Sequence, residues 1–320
     1  MTDLTENSSL ETLHSLPIWK ENEKLVSVEP AGASNMNLVL RVKTNLRSVI
    51  LKQSKPYVRK FPQISAPIDR IVIEQCYFEL IEDDEVLKNY SPKVLHYNSD
   101  HHILLIEDLG NGKDFSDIYK NGFQWQRNEL RSIGNYLNAL HNLEISNFPD
   151  NQEMKKLNHE HLFHFPFMEE NGFDLDTIQP GLQQISLKYK TDGQLKTALE
   201  NLGKRYLSHG ITLVHGDFYP ASWLKTENGM KFIDTEFAYM GDCEFDLGVL
   251  FAHFDLAKTE RIHYDEFLNY YQHSYTEELV NAYRGMEIMR RLIGIAQLPL
   301  SLSLAEKESL LQKAKNLILS

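Results

Sequence analysis

The hydrophobic pattern of this chain changes period part-way along it. Near the N-terminus apolar and polar residues alternate: 37–42 reads NLVLRV and 48–52 reads SVILK, after a short apolar run at 25–28. Alternation puts the apolar side chains on one face of a strand. Turn residues fill the gaps, with Pro30, Gly32, Ser34 and Asn35 in one and Thr44 and Asn45 in the other. A helix is expected after Pro67, with Ile71, Glu74, Phe78 and Ile81 at helical spacing, and an apolar strand at 103–106. From Trp125 the period becomes helical, and Leu130, Ile133, Leu137 and Leu140 form a stripe ending at His141. Further helices are expected at 195–207, 265–282, 285–296 and 304–318, with short strands at 212–214 and 230–233. These elements predict an α+β chain: an antiparallel-sheet lobe over residues 1–106 and a larger, mainly helical lobe over 107–320.

Charge and composition exclude several classes. The net charge of -12 argues against nucleic acid, whose binders need a basic footprint. Two cysteines, Cys76 and Cys243, make no disulfide framework and fit a reducing compartment. The polar, acidic stretch 1–13 lacks the basic start and apolar run of a signal peptide. No segment approaches the ~18 apolar residues of a membrane span. The expected setting is cytoplasmic, with no membrane partner. Thirteen histidines are scattered, and His101-His102 and His159-x-His161 lack the surrounding ligands of a zinc hydrolase.

The chemistry is carried by two loops. His215-Gly216-Asp217 follows the apolar strand 212–214, and Ser222 stands five residues after Asp217. Asp234 ends a second apolar strand, 17 residues after Asp217, with Glu236 two residues further on. Protein kinases space a catalytic Asp, a metal-binding side chain and a second metal-binding Asp in the same way. One carboxylate, Asp217, must face the attacking hydroxyl. Oxygen ligands, Ser222 and Asp234 with Glu236, must reach Mg²⁺, a hard ion that prefers oxygen. Upstream, Lys52 ends a strand as a phosphate-binding lysine would, with Glu74 on the following helix as its expected partner and Glu79 as a competitor. Gly32 and Asn35 lie in the turn where a nucleotide-covering loop would sit. Glu107-Asp108-Leu109 closes the 103–106 strand, where a hinge could offer backbone groups to adenine.

These residues resemble the aminoglycoside phosphotransferase and choline kinase superfamily, and within it the 5-methylthioribose kinases. The resemblance rests on the H-G-D and D-x-E loops, the L-x-x-L-H helix at 137–141, Asn35-Met36-Asn37-Leu38-Val39, Lys52-Gln53 with Pro56-Tyr57-Val58-Arg59, Asp69-Arg70 to Glu74, and Arg290-Arg291 with Gly294. It spans about residues 29–294 and implies a protein-kinase-like two-lobed fold. It also implies ATP and Mg²⁺ as cofactors and a sugar site shaped by Arg290 and Arg291. The chain departs from the family at Phe218, Tyr219, Pro220 and Ala221, where Tyr219 replaces a His and Ala221 a Gly, and it is short for that family. The expected function is transfer of phosphate from ATP to the hydroxyl of a small molecule, first methylthioribose or a related sugar. An aminoglycoside, choline or amino-alcohol kinase, or a nucleotide-binding pseudokinase, stands as the alternative. Oligomeric state stays open, a homodimer included.

Overall fold

The computed structural model describes residues 2–32 and 34–320. The chain divides into two compact units, Met1–Lys113 with Lys225–Phe237, and Asp114–Leu224 with Ala238–Ser320. The sequence expectation placed a single cut after residue 106. Hydrogen bonds explain the difference. Asp108 accepts from Arg41 and Ser48 of the sheet, so the chain past 106 stays with it. Phe232 N donates to Tyr90 O at 2.7 Å and Lys231 Nζ to Asn89 O at 2.9 Å, which tie the 225–237 segment to the first unit.

The first unit is built on a five-stranded antiparallel sheet. Its elements are α1 (Leu10–His14), β1 (Leu25–Pro30), β2 (Leu38–Thr44), β3 (Ser48–Gln53), the short hairpin β4 (Tyr57–Val58) and β5 (Phe61–Ser65), α2 (Arg70–Glu82), β6 (Val94–Asn98) and β7 (Ile103–Glu107). The sheet runs in the order β1-β2-β3-β7-β6. Leu40 pairs with Leu51, and Leu51 with Leu105. Leu38, Leu40, Val42, Val49, Leu51, Ile103 and Leu105 share one buried cluster with Leu4, Leu13, Leu16 and Ile18 of the N-terminal segment. Alternation therefore sends Lys52 to the opposite face from Val49 and Leu51. All of Ile103–Ile106 is buried, so β7 reads as a continuous apolar run instead of an alternating one.

The second unit is mainly helical: α3 (Arg127–His141), α4 (Gln152–His159), α5 (Leu182–Lys190), α6 (Gly193–Leu207), α7 (Cys243–Leu256), α8 (Arg261–Leu268), α9 (Glu277–Ile293) and α10 (Leu304–Leu319). Helices α7, α9 and α10 pack closely at glycines. A Cβ on Gly248 would stand 2.5 Å from Tyr283 Cβ, and one on Gly285 2.5 Å from Ala314 O. The helix expected at 265–282 is broken. Asn138 Oδ1 accepts from Gln272 N and His273 N, and Glu244 Oε1 accepts from Thr276 N, so side chains of α3 and α7 capture the intervening loop. The expected 285–296 helix is the second half of α9. No helix among the described residues is long and apolar enough to cross a membrane.

At the edge of the sheet, the buried Glu23 carboxylate takes four donors: Arg47 Nε at 2.8 Å and Nη2 at 3.0 Å, Thr44 Oγ1 at 3.0 Å and Lys20 N at 2.9 Å. Hydrogen bonding from Arg47 is the main cause that holds its pKa down to about 2, against a usual 4.5. A depressed folded pKa stabilises the fold above the unfolded value, and that contribution is lost as pH falls from about 4.5 towards 2. Glu23→Gln is expected to lower stability by about 2–3 kcal/mol at pH 7, with the gap to wild type closing as the pH drops through that window. Urea unfolding across the pH series checks this; a gap independent of pH rules it out.

Candidate active site

In the first unit the sequence brings Lys52 to the face of the sheet that α2 covers. Lys52 Nζ lies 2.5 Å from Glu74 Oε1 and 2.7 Å from Asp234 Oδ1. Glu79 instead accepts from Gln75 Nε2. Burial opposes the charge on Lys52, but Asp234 and Glu74 outweigh it and raise its pKa above the usual lysine value. Lysine and Glu74 are buried, whereas the Asp234 side chain is 46% exposed, so one carboxylate of the trio faces outward. Asp234 holds φ at 66°, a left-handed conformation that aspartate tolerates better than most residues.

Glu236 is placed differently. Its Oε2 accepts from Asn37 Nδ2 at 2.8 Å and stands 3.2 Å from Arg70 Nε. Burial raises its pKa to about 8 despite the pull of Arg70. Arg70, which sequence reasoning left without a role, is 1% exposed. It donates to Asn37 Oδ1, Lys55 O, Pro67 O, Met36 O and Tyr57 O. Segments that the sequence shows as separate motifs thus meet on one guanidinium.

The remaining first-unit candidates lie at its turns. Gly32 has φ +86°, while Ala33 of the same loop lies outside the described residues. Asn35 O accepts from Lys60 N, and Ser34 O from Arg59 Nη1. Glu107 N already donates to Lys93 O at 2.9 Å. The backbone of the partly exposed Leu109 makes no hydrogen bond among the described residues. Asp108 between them is a tie, accepting Arg41 Nε at 2.9 Å and Ser48 Oγ at 2.5 Å.

In the second unit, strand Thr212–Val214 pairs with Tyr239–Gly241 and delivers the His-Gly-Asp loop. Asp246, fully buried on α7, accepts His215 N at 2.7 Å and Gly216 N at 3.1 Å, and its Oδ2 lies 3.3 Å from His141 Nε2. His141 Nδ1 meets Tyr271 Oη at 2.8 Å. Past the pinned glycine, Asp217 is half-buried, and its carbonyl accepts Tyr219 N at 3.0 Å and Ser222 Oγ at 3.1 Å. The Ser222 hydroxyl is thus a donor within the loop, with its oxygen lone pairs left over. On α9, Glu287 accepts Arg291 Nε at 2.6 Å and Arg290 Nη1 at 2.9 Å. The Arg291 guanidinium lies 4.7 Å from the centre of the Tyr219 ring, and it feels the charge of Asp217. The structure therefore groups Asp217, Ser222, Tyr219 and Arg291 in this unit, and Lys52, Glu74 and Asp234 in the other.

Among the described residues no group of three or more His, Cys, Asp or Glu is arranged to hold a metal. Mg²⁺ takes only one or two protein oxygens in nucleotide sites and leaves the rest to phosphates and water. Taken singly, the oxygens of Asp234 in the first unit and of Ser222 in the second are of the kind Mg²⁺ accepts.

Residues 28–289 match the phosphotransferase enzyme family. The chain belongs to that family. Among curated proteins it is similar to the methylthioribose kinase of Enterobacter sp. (strain 638), 28% identical over 242 residues, which is 70% of this chain and 58% of that protein. It is also similar to the methylthioribose kinase of Pectobacterium carotovorum subsp. carotovorum (strain PC1), 27% identical over 262 residues, 76% of this chain and 63% of that one. The chain spans about three-fifths of the length of these relatives. Among solved structures it shares its fold with a choline kinase from Streptococcus pneumoniae, with TM-score 0.54 and 16% identity over 92% of this chain and 94% of that one. An AMP-bound spectinomycin phosphotransferase is similar, with TM-score 0.56 and 13% identity over 97% of each chain. The kinase-like α+β fold expected from the sequence is the fold of these neighbours.

Asp246→Asn keeps the volume but turns an amide N–H towards a backbone N–H of the loop. It is expected to cost about 2–3 kcal/mol, the scale for a buried donor left without an acceptor. Thermal unfolding of wild type and variant measures this, and an unchanged midpoint would contradict the role given to Asp246.

Proposed function

We propose that this family member transfers the γ-phosphate of ATP to the hydroxyl of a small molecule, with methylthioribose or a related sugar as the acceptor. The observation that carries the reading is the trio of Lys52 with Glu74 and Asp234. A buried lysine clamped by one buried carboxylate, beside a second that is half exposed, suits a site for a charged phosphate chain and a cation. In this reading Lys52 holds the α- and β-phosphates, Gly32 and Asn35 border the nucleotide, and the free backbone of Leu109 meets the adenine edge. The N–H of Glu107 is taken, which leaves that contact to Leu109. Asp234 and Ser222 would hold Mg²⁺, which when bound neutralises charge on the transferring phosphate. We assign Glu236 to support instead of ligation, because its inward oxygen serves Asn37 and Arg70.

Asp217 orients the acceptor hydroxyl. As the bond from that oxygen to the γ-phosphorus forms and the bond to the β–γ bridging oxygen breaks, the hydroxyl proton passes to the Asp217 carboxylate. A loose transition state asks for the proton late, so positioning matters more than basicity. Arg290 and Arg291 line the acceptor side. Two guanidiniums disfavour a cationic acceptor such as choline or an aminoglycoside, and the names of the curated relatives support the sugar. The two thiols, Cys76 and Cys243, are unpaired, in keeping with the cytoplasmic setting that is part of this proposal.

The test is ADP release from Mg·ATP with methylthioribose, ribose, choline, homoserine and kanamycin offered separately. Turnover on methylthioribose alone is expected; turnover only on a cationic acceptor would overturn the sugar reading, and ATP binding without turnover on any acceptor would point to a pseudokinase. Asp217→Asn is expected to lower kcat by about 10³-fold or more, with ADP affinity within about 2-fold of wild type. A variant that keeps wild-type turnover would remove Asp217 from the mechanism.

A further inference from the structure

The mechanism above leaves three buried polar residues of the second unit without a part: Tyr119, His253 and Glu287. They form a chain. Tyr119 Oη lies 2.6 Å from His253 Nδ1, and His253 Nε2 lies 3.2 Å from Glu287 Oε1. His253 and Glu287 are fully buried. Glu287 then receives both arginines, Arg291 Nε at 2.6 Å on Oε1 and Arg290 Nη1 at 3.1 and 2.9 Å on its two oxygens. A second path returns to the loop. The Tyr219 ring has the Arg291 guanidinium at 4.7 Å and the His253 ring at 5.7 Å, tilted by 38°. Tyr219 N donates to Asp217 O at 3.0 Å, so the residue stacked on the arginine is bonded to the residue that faces the acceptor.

We propose that Glu287 and His253 are positioning residues for the acceptor site, holding Arg290 and Arg291 in one arrangement and, through Tyr219, in register with Asp217. The proposal rests on the phosphoryl-transfer reading for the word acceptor, and on geometry for the network. Neighbouring guanidiniums repel, and a single carboxylate that accepts from both fixes where each can stand. The donors fix the histidine as well. An ionised Glu287 only accepts, so His253 gives it the Nε2 proton, and the bare Nδ1 accepts from the Tyr119 hydroxyl. Burial, aided by the arginines and opposed by Glu287, holds the His253 pKa down to about 4, which agrees with a neutral ring.

The experiment uses the full chain with Glu287→Gln, His253→Leu and His253→Gln. For the acceptor that wild type uses, Glu287→Gln and His253→Leu are expected to raise KM about 10-fold or more, with the ADP dissociation constant within about 2-fold. His253→Gln is expected to recover most of the loss, because its carboxamide N–H can still reach Glu287. If KM for ATP and acceptor move together, or neither moves, the residues are merely structural and the proposal fails. An independent arm reads the ring. In ¹⁵N-histidine NMR spectra of the wild type, His253 is expected to stay neutral from pH 5 to 8 with its proton on Nε2. Titration in that range, or a proton on Nδ1, would overturn the network whatever the enzyme does. Should wild type turn over no acceptor, the kinase reading falls while the NMR arm still decides the network. Should Glu287→Gln fail to fold, Tyr119→Phe removes one hydroxyl and is expected to shift the His253 Nδ1 resonance and raise acceptor KM about 2- to 5-fold; no change in either counts against the chain.

Discussion

Arg70 shows how one buried charge organises the first unit. A guanidinium with 1% exposure would be heavily penalised if any part of it were left unsatisfied, since the desolvation of an ion in a protein interior amounts to several kcal/mol. The surrounding chain meets that demand with the carbonyls of Met36, Lys55, Tyr57 and Pro67, the side chain of Asn37 and the carboxylate of Glu236. The turn before β2, the turn after β3, the start of α2 and the stretch that follows Asp234 cannot shift independently while that requirement holds. Lys52, Glu74 and Asp234 belong to the same framework. Glu74 sits one turn along α2 from Arg70, and Asp234 two residues before Glu236. The trio of Lys52, Glu74 and Asp234 is thus placed by a cation that is not one of its members.

The second unit uses acids for the same end. Asp246 gathers two backbone N–H groups of the His-Gly-Asp loop, and Glu287 gathers two arginines and a histidine. A carboxylate accepts several bonds at once, so it can define the relative positions of groups that have no direct contact. Both acids are fully buried, on helices α7 and α9, whose rotation is restricted by close packing at Gly248 and Gly285. Loop and arginine pair thus inherit the rigidity of α7 and α9.

What was legible in the sequence follows from these arrangements. The strands β2 and β3 were readable because one face is fully buried and apolar, whereas the other is only partly buried and carries polar residues such as Arg41 and Lys52. The same alternation placed Lys52 opposite Leu51 and made its pairing with an acid of the next helix a reasonable expectation. Helix α7 gave no periodic signal because 13 of its 14 residues are buried, so no polar face marks the turn. The break before α9 was invisible for another reason: Asn138 and Glu244, distant in sequence, supply the bonds that end the helix. Glu236 was expected at the metal because its spacing from Asp234 allowed it. Arg70, which approaches it at 3.2 Å, carries no mark in the sequence of its burial. Only burial tells the two cases apart, and burial is a property of the folded chain.

The departures of the 218–221 loop from the resembling family can be judged on the same terms. A glycine is favoured where the backbone enters the left-handed region, and in this loop that occurs at Gly216, with φ +79°. The chain keeps glycine there. Ala221 sits in the short helical turn Pro220–Ser222 and is not among the residues with positive φ, so an alanine costs nothing in backbone strain. Phe218 is fully buried and stacks on Tyr136 at 5.7 Å, which anchors the side of the loop away from Asp217. Tyr219 offers the flat ring that Arg291 lies against. The loop's shape is dictated by bonds from its backbone to Asp246 and by the closing bond from Ser222 to Asp217 O, none of which involves the four altered side chains. The side chains of 218–221 therefore bear little on where the loop holds Asp217, and what they add is the Tyr219 ring against Arg291.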